Sequence, residues 1–182
     1  MSERDLRRRC RQLLKDLDIQ PPLDVEELCR RFAQQRGRPI HLVPYAIPVP
    51  GPFGLWISAQ SEDFIVFQEN TSRPHKRHII LHEFGHGFRG HVSGVPLGLL
   101  SALGRGDVSA ALDTWFPVWP AGPIGCAFGR TAYDDERERE AETVATVILE
   151  WASVLDHVVP KATDHEAAQR IAAALSDRLG WL

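Results

Sequence analysis

The sequence predicts an α+β fold, in which a small antiparallel sheet packs against helices. Apolar residues recur at helical spacing at the start of the chain, short segments rich in β-branched and aromatic residues follow, and helical spacing returns later. The chain has 182 residues, of which 43% are hydrophobic and 25% charged, and these values are typical of one globular domain. We therefore predict a single domain, residues 1–182, with four parts: an N-terminal helical pair, a sheet with one helix, a long insertion and two C-terminal helices (residues 1–37, 38–91, 92–132 and 133–182).

Two helices are predicted at the N-terminus. Ser2 can cap the first helix, in which apolar residues lie at helical spacing, and the Pro21-Pro22 pair ends it. Asp24 can cap the second helix, and Gly37 lies just past its end. Each helix has one apolar stripe, so we expect two packed helices at the start of the chain.

Three short strands are predicted next, at residues 39–43, 53–58 and 63–68. A few mostly polar residues join the last two strands, which suits an antiparallel hairpin. Ser72 and Pro74 then supply an N-cap and a favourable first turn for a helix through the segment HKRHIILHEFGHGF. A small sheet is thus expected immediately before this helix.

The predicted insertion, residues 92–132, is rich in Gly, Pro and Trp and has only short helix-like pieces around 97–103 and 108–112. A connection of this length usually has a function of its own. Its aromatic residues could form a lid or a partner-binding surface, or equally an accessory core beneath the insertion. They are Trp115, Phe116 and Trp119.

Two further helices are predicted after the insertion. The first covers residues 134–157, begins with an acidic turn, and has an apolar face that includes Ala141, Ala145 and Ile148. Asp164 can cap the last helix, which Gly180 ends.

Composition also bears on partners and location. A net charge of −3 gives no general reason to expect nucleic-acid binding, although the first helix carries a local cluster of arginines. The three cysteines lie far apart without a CxxC pair, so we expect buried thiols. We find neither a signal-peptide pattern nor a long apolar stretch, and we therefore expect a cytoplasmic protein without membrane contact. The arginines are Arg7, Arg8, Arg9 and Arg11, and the cysteines are Cys10, Cys29 and Cys126.

The helix predicted after the strands contains an HExxH motif, formed by His82, Glu83 and His86. On a helix the two histidines are one turn apart and separated by about 40° around the axis, so both imidazoles reach one point. Two imidazoles suit Zn²⁺, although manganese or another divalent ion could use the same ligands, and Glu83 is placed to take a proton from a bound water. The apolar residues before the motif predict a buried helix, where these polar groups need a partner.

A catalytic zinc ion needs a third protein ligand. His91 is one candidate, but the metzincin spacing HExxHxxGxxH requires a histidine one position later, and His91 also suits a polar helix end. The second candidate is a glutamate from the helix at residues 134–157. Glu138 lies close to the centre of the apolar face of that helix, so we predict Glu138 as the ligand.

The same helix offers further polar groups near the predicted site. Glu142, one turn after the ligand, could hold a zinc-bound histidine through its free ring nitrogen. For Glu136 and Glu140 we expect instead a solvated, acidic helix start. A donor that stabilises the oxyanion is also expected, and Tyr133 is the nearest candidate in sequence, although it also suits a packing role. The other candidates for this donor are Arg130 and His157.

These motifs resemble those of the ImmA/IrrE family of zinc metallopeptidases. The resemblance covers most of residues 24–150 and rests on the segments GLWIS, FIVFQEN, RPHKRHIILHEFGH and EREREAETVATVIL. It implies a gluzincin-like member of the zincin fold, with an HExxH helix and a second, glutamate-bearing helix. In the family pattern ExEAN the first Glu, here Glu138, is the third zinc ligand, and Glu142 replaces the Asn. The usual LLMP ending is also replaced, by ILEW, and the connection between the two helices is unusually long.

The resemblance implies an intracellular endopeptidase that cleaves a helix-turn-helix repressor, in a stress response, in mobile-element control or in a toxin–antitoxin pair. A competing hypothesis is a non-catalytic interaction module with structural zinc, such as one component of a toxin–antitoxin pair. Glu83 favours the peptidase, because a structural zinc site does not need a base beside its ligands. A third hypothesis, DNA binding by the N-terminal arginines, predicts binding that weakens steeply with salt.

Overall fold

The computed structural model describes residues 1–48, 51–91, 108–115 and 135–158, which form helices around a three-stranded sheet. This architecture confirms the predicted α+β class. The helices are α1 (Glu3–Asp16), α2 (Val25–Arg36), α3 (Arg73–Arg89), α4 (Val108–Trp115) and α5 (Asp135–Val158), and the strands are β1 (Ile40–Tyr45), β2 (Gly54–Ser58) and β3 (Asp63–Gln68).

The predicted N-caps of the N-terminal helices and the predicted end of α2 are confirmed, whereas α1 already ends at Asp16, before the Pro21-Pro22 pair that was predicted to end it. Ser2 caps α1 by accepting a hydrogen bond from the Asp5 backbone N–H, and Asp24 caps α2 in the same way. Gly37 ends α2 with a φ of 64°, a left-handed conformation that glycine adopts without strain. The buried residues of both helices join one hydrophobic core with α3, α5 and the sheet.

The sheet has the strand order β1-β3-β2 and is mixed. The predicted antiparallel hairpin of β2 and β3 is present, but β1 pairs with β3 in parallel, so the prediction of an antiparallel sheet is wrong for β1. The chain reverses direction twice between β1 and β3, and the two strands therefore run the same way. All residues of β3 are buried, which suits its central position. β1 also continues through Pro44, which an outer strand tolerates.

Hydrophobic residues cover both faces of the sheet. On one face, Trp56 and Ile65 pack into the core shared with α1, α2, α3 and α5. On the other face, Ile57 and Val66 pack with Leu112 of α4. Successive residues of a strand point to opposite faces, and β2 and β3 therefore contribute to both clusters. The helix-like piece predicted at 108–112 is thus α4, and this part of the predicted insertion belongs to the core.

Some predicted features lie outside the described residues. These are the helical piece at 97–103, the helix from Asp164 to Gly180, and the residues Phe116, Trp119 and Cys126. Cys10 and Cys29 are buried, as predicted, and burial raises the pKa of both thiols to about 12.

Among the helices that the structure describes, none combines the length and apolar character needed to cross a membrane.

Candidate metal centre

The HExxH motif lies in the second half of α3. Ser72 caps this helix, its hydroxyl oxygen accepting a hydrogen bond from the His75 backbone N–H at 3.4 Å, and Pro74 occupies the first turn. Gly90 ends the helix with a φ of 70°. The apolar residues before the motif are buried, as predicted, so the motif lies on a helix that the core holds firmly.

Two glycines let neighbouring elements approach α3 closely. A side chain at Gly85 would place its Cβ 2.8 Å from the Cα of Ala141 in α5. A side chain at Gly87 would overlap the ring of Trp56 in β2. Ala141 is fully buried, so the apolar face of α5 is the face that meets α3. This close approach brings the glutamates at the start of α5 to the histidines of the motif.

The structure brings together the three residues that the sequence predicts as metal ligands. Nε2 of His82 lies 3.2 Å from Nε2 of His86 and 3.2 Å from Oε2 of Glu138. Nε2 of His86 lies 3.6 Å from Oε1 of Glu138. Each residue offers one ligand atom, and these atoms lie within 4.8 Å of one another, so the group could hold a metal ion.

These separations suit a tetrahedral zinc site. Ligand atoms bound to Zn²⁺ at about 2.0–2.1 Å in a tetrahedron are about 3.4 Å apart. The two imidazole nitrogens are 3.2 Å apart, which is close to that value, and they lie 3.2 and 3.6 Å from the two different oxygens of Glu138. The donor set of two imidazoles and one carboxylate is also one that zinc uses in catalytic sites. Geometry and donor chemistry therefore both fit the ion.

Electrostatics distinguish the two histidines. Burial disfavours the imidazolium of His82, but the hydrogen bond to Glu138 and the charge of Glu83 outweigh it and raise the pKa of His82 to about 9. Burial and the neighbouring charge of His82 lower the pKa of His86 to about 2. At neutral pH, His86 therefore offers a lone pair, whereas a metal ion must displace a proton from His82.

Glu83 is buried beside this cluster. Its carboxylate accepts a hydrogen bond from the backbone of Trp56 and lies against Gly54, where an added Cβ would be 2.8 Å from Oε1. Burial raises the pKa of Glu83 to about 7; the charge of Glu138 acts in the same direction, and His82 and the Trp56 hydrogen bond oppose it. A carboxyl group with a pKa near neutrality can both accept and release a proton at physiological pH.

The outer nitrogen of His82 faces a glutamate. Oε2 of Glu142 lies 3.3 Å from Nδ1 of His82, which is the contact predicted for this residue. The same oxygen lies 3.2 Å from Nε2 of His78, one turn earlier in α3. The sequence reasoning did not single out His78, although its spacing of four residues from His82 placed it on the same helix face.

The outer nitrogen of His86 faces a second histidine. Nδ1 of His86 lies 3.1 Å from Nδ1 of His91, and Nε2 of His91 lies 3.1 Å from Oε2 of Glu140. Arg89 donates two hydrogen bonds to the Glu140 carboxylate, at 2.8 and 3.2 Å. These contacts outweigh burial and lower the pKa of Glu140. His91 thus touches a predicted ligand from outside the ligand group.

The expectation of a solvated helix start is wrong for Glu140. Its side chain is only 13% exposed, because the last turn of α3 brings Arg89 and His91 against α5. Glu136 is exposed, as predicted. The sequence signal that would have predicted this contact is Gly90. It ends α3 in a turn that places His91 back against the last turn of the helix.

The structure does not describe the side chains of the remaining predicted site residues. Tyr133 and Arg130 lie outside the described residues. His157 belongs to the last turn of α5, and the structure does not describe its side chain or that of Trp115.

The arginines of α1 are engaged with other groups. Arg7 forms ion pairs with Glu3 and Glu150, and Arg8 forms one with Asp5. These pairs offset positive charge that the DNA-binding hypothesis requires.

Comparison with known proteins adds no identification. No protein-family model, curated protein or solved structure matches this chain.

Proposed function

We propose that this protein is a zinc-dependent endopeptidase that hydrolyses a peptide bond in a protein partner. The observation that carries the proposal is the convergence of His82, His86 and Glu138, with a buried glutamate next to them. In this proposal the three converging residues hold the metal ion in a zincin-like core, and Glu83 is the general base.

The donor set leaves room for chemistry at the metal. Three protein ligands leave one position of a tetrahedral zinc ion for water or substrate, as in catalytic zinc sites. When bound there, zinc polarises a carbonyl group and increases the acidity of water. The protein's own residues orient the reactants and move the protons.

Glu83 is suited to move a proton in both directions. Its pKa of about 7 allows the ionised carboxylate to accept a proton from the attacking water and the protonated form to deliver it to the leaving amine. The hydrogen bond from the Trp56 backbone fixes the carboxylate against β2. A structural zinc site does not need such a group, which is why the peptidase is favoured over a non-catalytic module.

The proposed substrate is a helix-turn-helix transcriptional repressor in the cytoplasm. This part of the proposal rests on the resemblance of the motifs to the ImmA/IrrE family, and it includes a role in a stress response or a toxin–antitoxin pair. Tyr133 is the proposed donor to the oxyanion.

The test is cleavage of a helix-turn-helix regulator, chosen from those encoded near this protein. The zinc-loaded wild-type protein and Glu83→Gln are each incubated with the purified regulator, and products are identified by mass spectrometry. We expect cleavage at one bond by the wild-type protein alone, with equal zinc content in both proteins. Cleavage by both proteins would assign the activity to a contaminant. Cleavage by neither, with zinc bound, would contradict the proposal and favour the non-catalytic module.

A further inference from the structure

We infer that His91 and Glu140 are positioning residues that fix the ring and the tautomer of His86, so that its Nε2 lone pair faces the metal. This inference rests on the proposed zinc centre and assigns to it two residues outside the ligand group. It is carried by an unbroken series of contacts from the carboxylate of Glu140 to the ligand nitrogen.

The direction of the hydrogen bonds follows from the carboxylate at the outer end. The ionised Glu140 can only accept, so Nε2 of His91, 3.1 Å away, carries a hydrogen. A neutral imidazole has one N–H, and Nδ1 of His91 is then an acceptor. The donor at this contact is Nδ1–H of His86, 3.1 Å away. Nε2 of His86 is left with its lone pair, on the side that faces His82 and Glu138.

The opposite assignment is unfavourable. If Nε2 of His86 carried the hydrogen, Nδ1 of His91 would have to donate to His86. The lone pair of His91 Nε2 would then face the Glu140 carboxylate at 3.1 Å without a hydrogen between them. Both atoms are acceptors in that state, so the contact would be repulsive.

The backbone also ties His91 to His86. The His91 backbone N–H donates to the His86 carbonyl oxygen at 2.9 Å, in the turn that Gly90 makes at the end of α3. The two histidines are thus joined through both their backbones and their rings. His86 is 1% exposed and His91 is 9% exposed, so both rings are held by their surroundings.

Arg89 fixes the outer end of the series. Its two hydrogen bonds to Glu140 orient the carboxylate. Groups that hold a metal-bound histidine in this way typically change metal affinity by about 10–100-fold when they are removed. His91 and Glu140 are expected to act on affinity through His86, without touching the ion.

The experiment measures zinc affinity by competition with a chelator in the full-length wild-type protein, His91→Leu and His91→Gln. We expect a loss of about 10–100-fold in His91→Leu. The loss should be smaller in His91→Gln, because the amide oxygen can still accept the hydrogen from His86. A folded His91→Leu protein that binds zinc as tightly as the wild-type protein would overturn the inference.

A second measurement applies even if His91→Leu does not fold. Long-range ¹H–¹⁵N spectra of the metal-free wild-type protein report the tautomer of each histidine. We expect the Nδ1–H tautomer for His86 and the Nε2–H tautomer for His91, and the reverse assignment would overturn the inference. Failure of the wild-type protein to bind zinc would instead contradict the proposed function, so the two failures are distinguishable.

Discussion

The two histidines of the site have the same chemistry but different surroundings. His86 is 1% exposed and is held through His91 and Glu140, whereas His82 is 21% exposed and contacts the half-exposed Glu142. Their pKa values differ as well, so that at neutral pH His86 is neutral and His82 is protonated. In the proposed zinc site, His86 and its partners would therefore anchor the ion, whereas protons, zinc and solvent would exchange beside His82.

The fold explains why the two sides differ. His86 and its partners lie against the end of α3, where Arg89 meets Glu140 of α5. α1 packs against α5. The His82 side is bordered by His78 and Glu142, whose side chains are 38% and 50% exposed.

Removing each ligand tests the comparison most strongly. His82→Gly and His86→Gly should each lower zinc affinity by more than the roughly 100-fold that marks loss of a supporting group. Added imidazole should restore part of the affinity in His82→Gly, because the site is open to solvent there, and should not restore it in His86→Gly. Zinc affinity is measured by competition with a chelator, with and without imidazole, and the wild-type protein is the control. Equal rescue of both variants would remove the distinction between the two sides.

Gly85→Ala should disturb both sides together. The new Cβ would lie 2.8 Å from the backbone of Ala141, so α5 must shift away from α3. We expect the free energy of unfolding to fall by about 2–3 kcal/mol and zinc affinity to fall with it. Denaturant unfolding of the metal-free protein measures the first effect. Arg77→Ala, on the exposed side of α3, is the control, and a Gly85→Ala protein as stable as this control would contradict the close packing.

The pH dependence of zinc binding should come from the His82 side alone. The pKa of His82 is raised to about 9, so zinc displaces one proton below that pH, and affinity should rise about tenfold per pH unit from pH 7.5 before it levels off near pH 9. His86, with a pKa of about 2, adds no dependence in this range. In the metal-free protein the sign is opposite: the raised pKa stabilises the fold fully below about pH 6.5, and this contribution is lost towards pH 9.

Calorimetry in buffers of different ionisation enthalpy counts the protons released. At pH 8 we expect about one proton per zinc ion, because Glu83 and His86 are then already unprotonated. Release of no protons would contradict the protonated state of His82, and release of two would mean that the His86 side titrates as well.

The smallest expected effect on zinc affinity is the difference between Glu140 and Glu142, the two carboxylates that contact the ligand histidines or their neighbours. Glu140→Gln should lower zinc affinity about tenfold, since its partly buried contacts with His91 and Arg89 are weakened. Glu142→Gln should lower it only a few-fold, since its contact with His82 is longer and exposed to water. The same zinc competition ranks the two variants. A larger loss in Glu142→Gln would reverse the assignment of the anchoring side.

Local signals in the sequence predicted much of this fold. The helix ends at Ser2, Asp24 and Ser72 were predictable because a side-chain oxygen and the N–H groups it caps are neighbours in sequence. The approach of Glu138 to the motif was also predictable, since it follows from the apolar face of one helix. In each case a short segment contains the signal on which the prediction depends.

The features that were missed depend on contacts between distant segments. The parallel pairing of β1 with β3 cannot be read from either strand alone. The burial of Glu140 depends on how closely α3 and α5 approach each other. Gly85 allows this close approach, but a glycine in the sequence does not by itself predict it. His91 was weighed only as a metal ligand or as a polar helix end, because its contacts depend on the turn at Gly90 and on a carboxylate 49 residues away.

Zinc content tests the central claim most directly. The wild-type protein, Glu138→Ala and Glu136→Ala would be purified, reconstituted with zinc and measured by mass spectrometry. We expect about one zinc ion per chain in the wild-type protein and in Glu136→Ala, whose side chain is exposed, and almost none in Glu138→Ala. Zinc retained in Glu138→Ala would move the third ligand elsewhere, and a wild-type protein without zinc would contradict the metal centre itself.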